Sequence, residues 1–186
     1  LSLVAARAGG SRARVYAFEP SVREYSMLLE HIALNQLMNV IPYPFGIGAS
    51  DQAATLWLSG LQNPGQNSRF GRAGAVAELG ITLAPIDALL PAQAIKDVRC
   101  VKIDVEGDEC SVLAGFSRVM PLLTEATFLI EISPDLLVRA GHSADQIYQF
   151  FHDHGFRTCR AARPQADQWD ELFVAKDAPD PAAIWY

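Results

Sequence analysis

Apolar positions recur along this chain with two periods, and the switches between them outline its elements. Residues 1–8 carry a helical pattern that stops at Gly9-Gly10. Arg14-Val15-Tyr16-Ala17-Phe18 is a short buried strand ending at Glu19-Pro20. Ser21-Val22-Arg23-Glu24 then spells a capping box, in which serine and glutamate satisfy orphan N–H groups reciprocally. The helix it opens carries Tyr25, Leu28, Leu29 and Ile32 on one apolar face, with Met27 and His31 off that stripe. Residues 39–47 predict a strand, and Pro42 and Pro44 place it at a sheet edge because proline cannot donate to a ladder.

Thr55 to Leu58 predicts a further short strand. Residues 60–80 read as a long loop, broken by Gly60, Pro64, Gly65, Gly71 and Gly74, of the kind that is a lid or a disordered excursion. Ile86-Asp87-Ala88-Leu89-Leu90 starts a short helix before Pro91. Residues 101–106 alternate as a strand, with Lys102, Asp104 and Glu106 on one face and Val101, Ile103 and Val105 on the other. Gly107 permits a turn, Asp108 and Glu109 fall in a first helical turn, and Val112, Leu113 and Phe116 give that helix its apolar face.

Residues 126–132 form another strand, and Ser143 with Gln146 opens a helix lined by Ile147, Phe150 and Phe151 and stopped by Gly155. Residues 156–161 and 169–175 then read as an antiparallel hairpin. This alternation predicts one α/β domain over residues 1–186, its sheet mostly parallel with an antiparallel hairpin at the C-terminal end.

Composition narrows the class. With half its residues apolar and 19% charged, the chain is globular rather than disordered. A net charge of −6 and no run of Lys or Arg exclude a basic surface for nucleic acid or anionic membrane. Cys100, Cys110 and Cys159 follow no C-x-x-C pattern, which predicts a reduced, cytoplasmic setting. No apolar run reaches the ~18 residues of a membrane span. The chain opens on Leu1 in mid-helix and reads as a fragment.

The candidate chemistry is acidic. A strand that stops at an acid-rich turn and feeds a helix sets carboxylates at the C-terminal edge of a sheet, where open α/β folds bind ligands. The helix dipole alone accounts for Asp108 and Glu109. A strand end has no need of two like-charged neighbours, so Asp104 and Glu106 are the candidates for a ligand role. No histidine or cysteine stands at ligand spacing from them, so no metal site is expected. His31, His152 and His154 read as surface or helix-end residues.

Tyr16-Ala17-Phe18-Glu19-Pro20, Asn35 with Asn39-Val40, Ile86-Asp87-Ala88-Leu89 and, above all, Lys102-Ile103-Asp104-Val105-Glu106-Gly107-Asp108-Glu109 resemble the FkbM family. These are S-adenosylmethionine-dependent methyltransferases, mostly acting on oxygen. Val112-Leu113-Ala114-Gly115 and Ile130-Glu131 continue the resemblance across most of the chain. It implies a Rossmann-like, seven-stranded sheet and S-adenosylmethionine as cofactor. Glu19, followed by Pro20, would accept hydrogen bonds from the cofactor's ribose hydroxyls, and the turn holding Gly48, Ser50 and Asp51 would lie beside its adenine. Asp104 would sit near the transferring methyl group. Glu106 and Glu131 would face the acceptor, a hydroxyl on a small molecule or sugar, as bases or orienting groups.

The family's first strand and glycine-rich turn should precede the opening helix, and nothing precedes it here. Either that strand is truncated away, the expectation favoured here, or the sheet closes up with Glu19 and Asp104 brought together. Two other classes stay open. A nicotinamide-dependent oxidoreductase also holds ribose on an acid after a strand, but it needs a G-x-G-x-x-G turn that is absent. A non-catalytic domain would use the acidic turn only to cap a helix.

Overall fold

The computed structural model describes residues 1–60, 66–71 and 75–179. Three ladders of strands organise it. In the first, β1 (Val15–Phe18) and β2 (Val40–Tyr43) run parallel, with Val15 beside Val40 and Phe18 beside Tyr43. The helices α1 (Ser2–Gly9) and α2 (Val22–Leu34) belong to this layer, whose buried centre is Ala6, Ala17 and Val40, with Leu28 and Ile32 packed against it. A ladder two strands wide gives α2 a narrow strip to cover. Tyr25, Leu28 and Ile32 are half-buried, while Leu29, expected on the inner face, is exposed.

Pro44 has no N–H to offer a ladder, and the strand expected over residues 39–47 divides there. Its second part, β3 (Gly46–Ile47), joins a different ladder, parallel to β5 (Ala77–Ala84), which pairs antiparallel with β4 (Gln52–Leu58). Residues 77–80, expected as loop, are therefore strand. Leu79, Ile81 and Leu83 alternate with Glu78, Gly80 and Thr82, and the buried Ile81 and Leu83 pack with Leu56 of β4. Pro64, Gly65 and Gly74, three of the expected loop breakers, lie outside the described residues.

The third ladder is the largest. β6 (Cys100–Ile103) runs parallel to β7 (Thr127–Ile132), β9 (Trp169–Ala175) pairs antiparallel with β7, and β8 (Phe156–Thr158) forms the outer edge against β9. The C-terminal hairpin is thus as the sequence predicts. The short α3 (Ile86–Leu89) and α4 (Ala92–Lys96) precede β6, and α5 (Glu109–Phe116) follows it. α6 (Pro134–Arg139) and α7 (Ala144–Asp153) lie between β7 and β8. Ser143 and Gln146 form the expected capping box on α7.

Phe128, Ile130, Ile132, Phe151 and Phe173 are enclosed at the centre, the Phe151 and Phe173 rings stacked with centroids 3.9 Å apart. Tyr16, Phe18 and Tyr43 of the first ladder pack against this same core. Among the described residues β1 pairs only with β2 and β6 only with β7, so the sheet has not closed up between them. The architecture is a Rossmann-like α/β fold with mixed parallel and antiparallel pairing.

Candidate active site

Two strand ends carry the candidate acids. At the end of β1, Glu19 is half-buried and its Oε1 accepts the Ser21 N–H at 2.9 Å. Burial pushes its pKa above the ordinary carboxylate value, and the nearby charge of Glu24 adds to this, against the Ser21 hydrogen bond. The expected capping box does not form. The Ser21 hydroxyl donates to the Glu24 carboxylate and its N–H goes to Glu19, so the turn orients Glu19 rather than closing α2 on itself. Arg23 Nε donates to Glu24 at 2.6 Å. Although burial works against its charge, Glu24 is held below its usual range by Arg23 and Ser21. Pro20 sits beside Gly46, where an added Cβ would come within 3.6 Å of the proline ring.

At the other end, β6 stops at Ile103, and its register with Ile130 sets Asp104 beside Glu131 of β7. Glu131 is half-buried, and burial raises its pKa, with the hydrogen bond to Asp104 adding to the rise. Lys102 Nζ lies 3.9 Å from Asp104 and hydrogen-bonds Asp170, which stands opposite Glu131 across the β7–β9 pair. Lys102, Asp104, Glu131 and Asp170 are one cluster. Among the described residues no three or more His, Cys, Asp or Glu side chains are placed to hold one metal ion.

Glu106 does not share the strand face expected for it. The strand has ended, and Glu106 adopts a left-handed backbone with φ 52°. Gly107 follows at φ 103°, where an added Cβ would lie 2.9 Å from the Leu136 carbonyl oxygen, so this position requires glycine. Asp108 and Glu109 open α5 as predicted, but both are buried. Asp108 accepts Arg69 Nη1 at 2.7 Å, and Glu109 Oε1 accepts the Gly107 N–H at 3.1 Å. Burial pushes the Glu109 pKa up to about 7.

The segment 66–71 touches the turn that follows each strand end. Asn67 Oδ1 accepts the Ser59 N–H at 2.9 Å and Arg23 Nη2 at 3.3 Å, which ties it to the first turn of α2. Ser68 Oγ donates to the Glu106 carbonyl at 3.0 Å, and Arg69 reaches Asp108. Arg69 and Asp170 escaped the sequence reading. Arg69 sits in a stretch with no periodicity, and only the β7–β9 register places Asp170 opposite Glu131. The remaining candidates make other contacts. The Gly48 N–H donates to the Ala84 carbonyl at 3.1 Å, and α5 packs so closely there that a Cβ on Gly115 would lie 2.5 Å from the Gly48 oxygen. Ser50 and Asp51 are exposed, and Asp51 adds to the field at Arg118, whose guanidinium forks onto Asp87 at 2.8 and 2.7 Å.

The family model of the methyltransferase FkbM domain matches residues 1–158. The chain belongs to the FkbM methyltransferase family. Among solved structures, this FkbM-family chain is similar to methyltransferase FkbM from Methylobacillus flagellatus KT, with a TM-score of 0.50 and 15% identity. That match covers 87% of this chain and 36% of the other, and what it shows is the shared fold. M. jannaschii TYW2, solved in complex with AdoMet, matches with a TM-score of 0.35 and 13% identity over 86% of this chain and 55% of its own. No curated protein matches the chain. This member thus spans a little over a third of the length of the FkbM structure it resembles.

Proposed function

We propose that this chain forms the cofactor-binding and catalytic rim of an S-adenosylmethionine-dependent methyltransferase acting on a hydroxyl oxygen of a small molecule or sugar. The observation that carries the reading is the Asp104–Glu131 carboxyl pair, linked through Ser68 and Asn67 to the turn that presents Glu19. The donor chemistry fits the cofactor. Glu19 has a backbone N–H and a second acid for neighbours, and a carboxylate's two acceptor oxygens suit two adjacent ribose hydroxyls. Gly48, Ser50 and Asp51 make up the adenine side in this reading.

When bound, S-adenosylmethionine supplies a methyl group already activated on a sulfonium centre, so alignment of the acceptor oxygen carries most of the rate. Glu131 would take the acceptor's hydroxyl proton on a carboxylate oxygen as the acceptor oxygen gains the methyl group that leaves the sulfonium sulfur. Burial and Asp104 hold its pKa up, nearer the working pH, where a base is most effective. Asp104 and Glu106 orient the acceptor, and Lys102 limits the repulsion between Asp104 and Asp170. Three acids around one lysine disfavour an anionic acceptor and suit a neutral polyol.

Calorimetry with S-adenosylhomocysteine tests the cofactor half. The chain is expected to bind it, and Glu19→Gln to bind about 10–100-fold more weakly, the equivalent of ~1.5–3 kcal/mol for a charged hydrogen bond. No heat with the wild-type chain would sink the reading. For the chemical half, methyl transfer from labelled cofactor to a panel of monosaccharides should rise with pH as Glu131 loses its proton. Glu131→Gln should fall roughly 100-fold or more and lose that pH dependence. An unchanged profile removes Glu131 as the base.

A further inference from the structure

We propose that Arg69 is a positioning residue for the reaction: by pairing with Asp108 it clamps segment 66–71 onto the β6–α5 turn and so fixes the backbone that carries Asp104 and Glu106. The inference rests on the methyl-transfer reading above. Three observations converge on it. The turn holds a non-glycine residue, Glu106, at φ 52°, a conformation that persists only where its surroundings over-determine it. Its carbonyl is held by the Ser68 hydroxyl at 3.0 Å, and Ser68 is itself anchored to Trp57 of β4 through a two-way backbone bridge of 2.8 and 3.1 Å. One residue on, Arg69 makes its ion pair to the buried Asp108 at 2.7 Å.

That ion pair is a poor device for stability. It engages one nitrogen and one oxygen, while Arg69 Nε and Asp108 Oδ1 are buried without a partner among the described residues. A buried pair so incompletely satisfied recovers little of its desolvation cost. What it fixes is geometry. The segment is anchored at its other end by Asn67, which receives Arg23 and the Ser59 N–H, so Arg69 completes a span from the α2 turn to the β6–α5 turn. Displacing the reacting groups by about 1 Å costs on the order of 100-fold in rate, so a clamp at this place acts on turnover while leaving the ribose contact alone.

The test uses Arg69→Ala, Arg69→Lys and Ser68→Ala. In the chain without cofactor, hydrogen exchange at the Gly107 amide should quicken about tenfold in Arg69→Ala and Ser68→Ala, with the β7 amides unchanged. Arg69→Lys, which keeps the charge, should restore most of the protection. Affinity for S-adenosylhomocysteine should stay within about threefold, and methyl transfer to a monosaccharide panel should drop roughly 10–100-fold in Arg69→Ala. Unaltered Gly107 exchange in both alanine variants overturns the clamp, as does full turnover with the exchange disturbed. A wild-type chain that fails to bind S-adenosylhomocysteine overturns the methyl-transfer reading, and the exchange data still judge the clamp.

Discussion

Glu109 shows how one residue sets a dependence on pH. It is 2% exposed, one oxygen accepts the Gly107 N–H, and the other is buried without a partner among the described residues. Burial pushes its pKa from 4.5 to about 7. The folded chain therefore binds more protons than the unfolded chain between those values, and stability falls as pH rises through that window. The stabilisation is complete below pH ~4.5 and gone above ~7, a difference of about 3 kcal/mol. Urea midpoints measured from pH 4 to 8 should decline more steeply for the wild type than for Glu109→Gln, which keeps only the fall due to Glu19 and Glu131. Parallel curves for the two proteins would refute the assignment. Glu131 differs in kind. It is half-buried at a strand end, and its pKa is raised by burial and by the hydrogen bond to Asp104.

Between elements, a close backbone contact near the candidate residues joins α5 to the end of β3. Gly115 lies so close to Gly48 that a Cβ would stand 2.5 Å from a backbone oxygen and 2.9 Å from Ile47. Backbone cannot yield as a flexible side chain does, so Gly115→Ala should push α5 off β3 and cost about 1–3 kcal/mol. A thermal midpoint within a degree of wild type would show that the contact relaxes freely. This contact also explains part of what the sequence concealed. Gly48 was assigned to the adenine side from a resemblance, and its packing against α5 depends on a helix nearly seventy residues away.

The elements with an uninterrupted period were legible: β1, β7, the capped α7 and the C-terminal hairpin stand where alternation or capping residues place them. β5 was missed because Gly80 interrupts its alternation and glycines cluster before it. α4 and α6 were missed because five or six residues hold too little of a helical period to register. The candidate acids stand out in the sequence because their types and spacing are local, although Glu106 leaves the strand face expected for it. Lys102's bond to Asp170 and the Arg69–Asp108 pair could not, since each joins residues far apart in sequence. The failed capping box at Ser21 is instructive. The four-residue pattern was present, but Glu19, just outside it, captured the serine N–H.

Over the whole molecule the core is unevenly distributed. The interior around β6, β7 and β9 includes Phe128, Ile130, Ile132, Leu137, Ile147 and Phe151, all with no measurable exposure. The layer of α1, α2, β1 and β2 is centred on Ala6, Ala17 and Val40, and no residue of α2 is fully buried. Burial of apolar area contributes roughly 25 cal/mol per Å², so a layer centred on these three residues, with Tyr16, Phe18 and Tyr43 only half-buried against the main core, is held less firmly than the aromatic core. Opening free energies should differ accordingly. Hydrogen exchange at the amides of β1 and β2 is expected to run at least about tenfold faster than at Phe128 to Ile132 of β7. The proposed ribose carboxylate, Glu19, stands at the end of the weaker layer, so ligand binding there should act mainly on that layer. At saturating S-adenosylhomocysteine, protection should rise in β1 and the first turn of α2, by about RT ln(1 + [L]/Kd), and change little in β7. Equal exchange in the two regions would disprove the uneven core. A rise confined to β7 would move the cofactor away from Glu19.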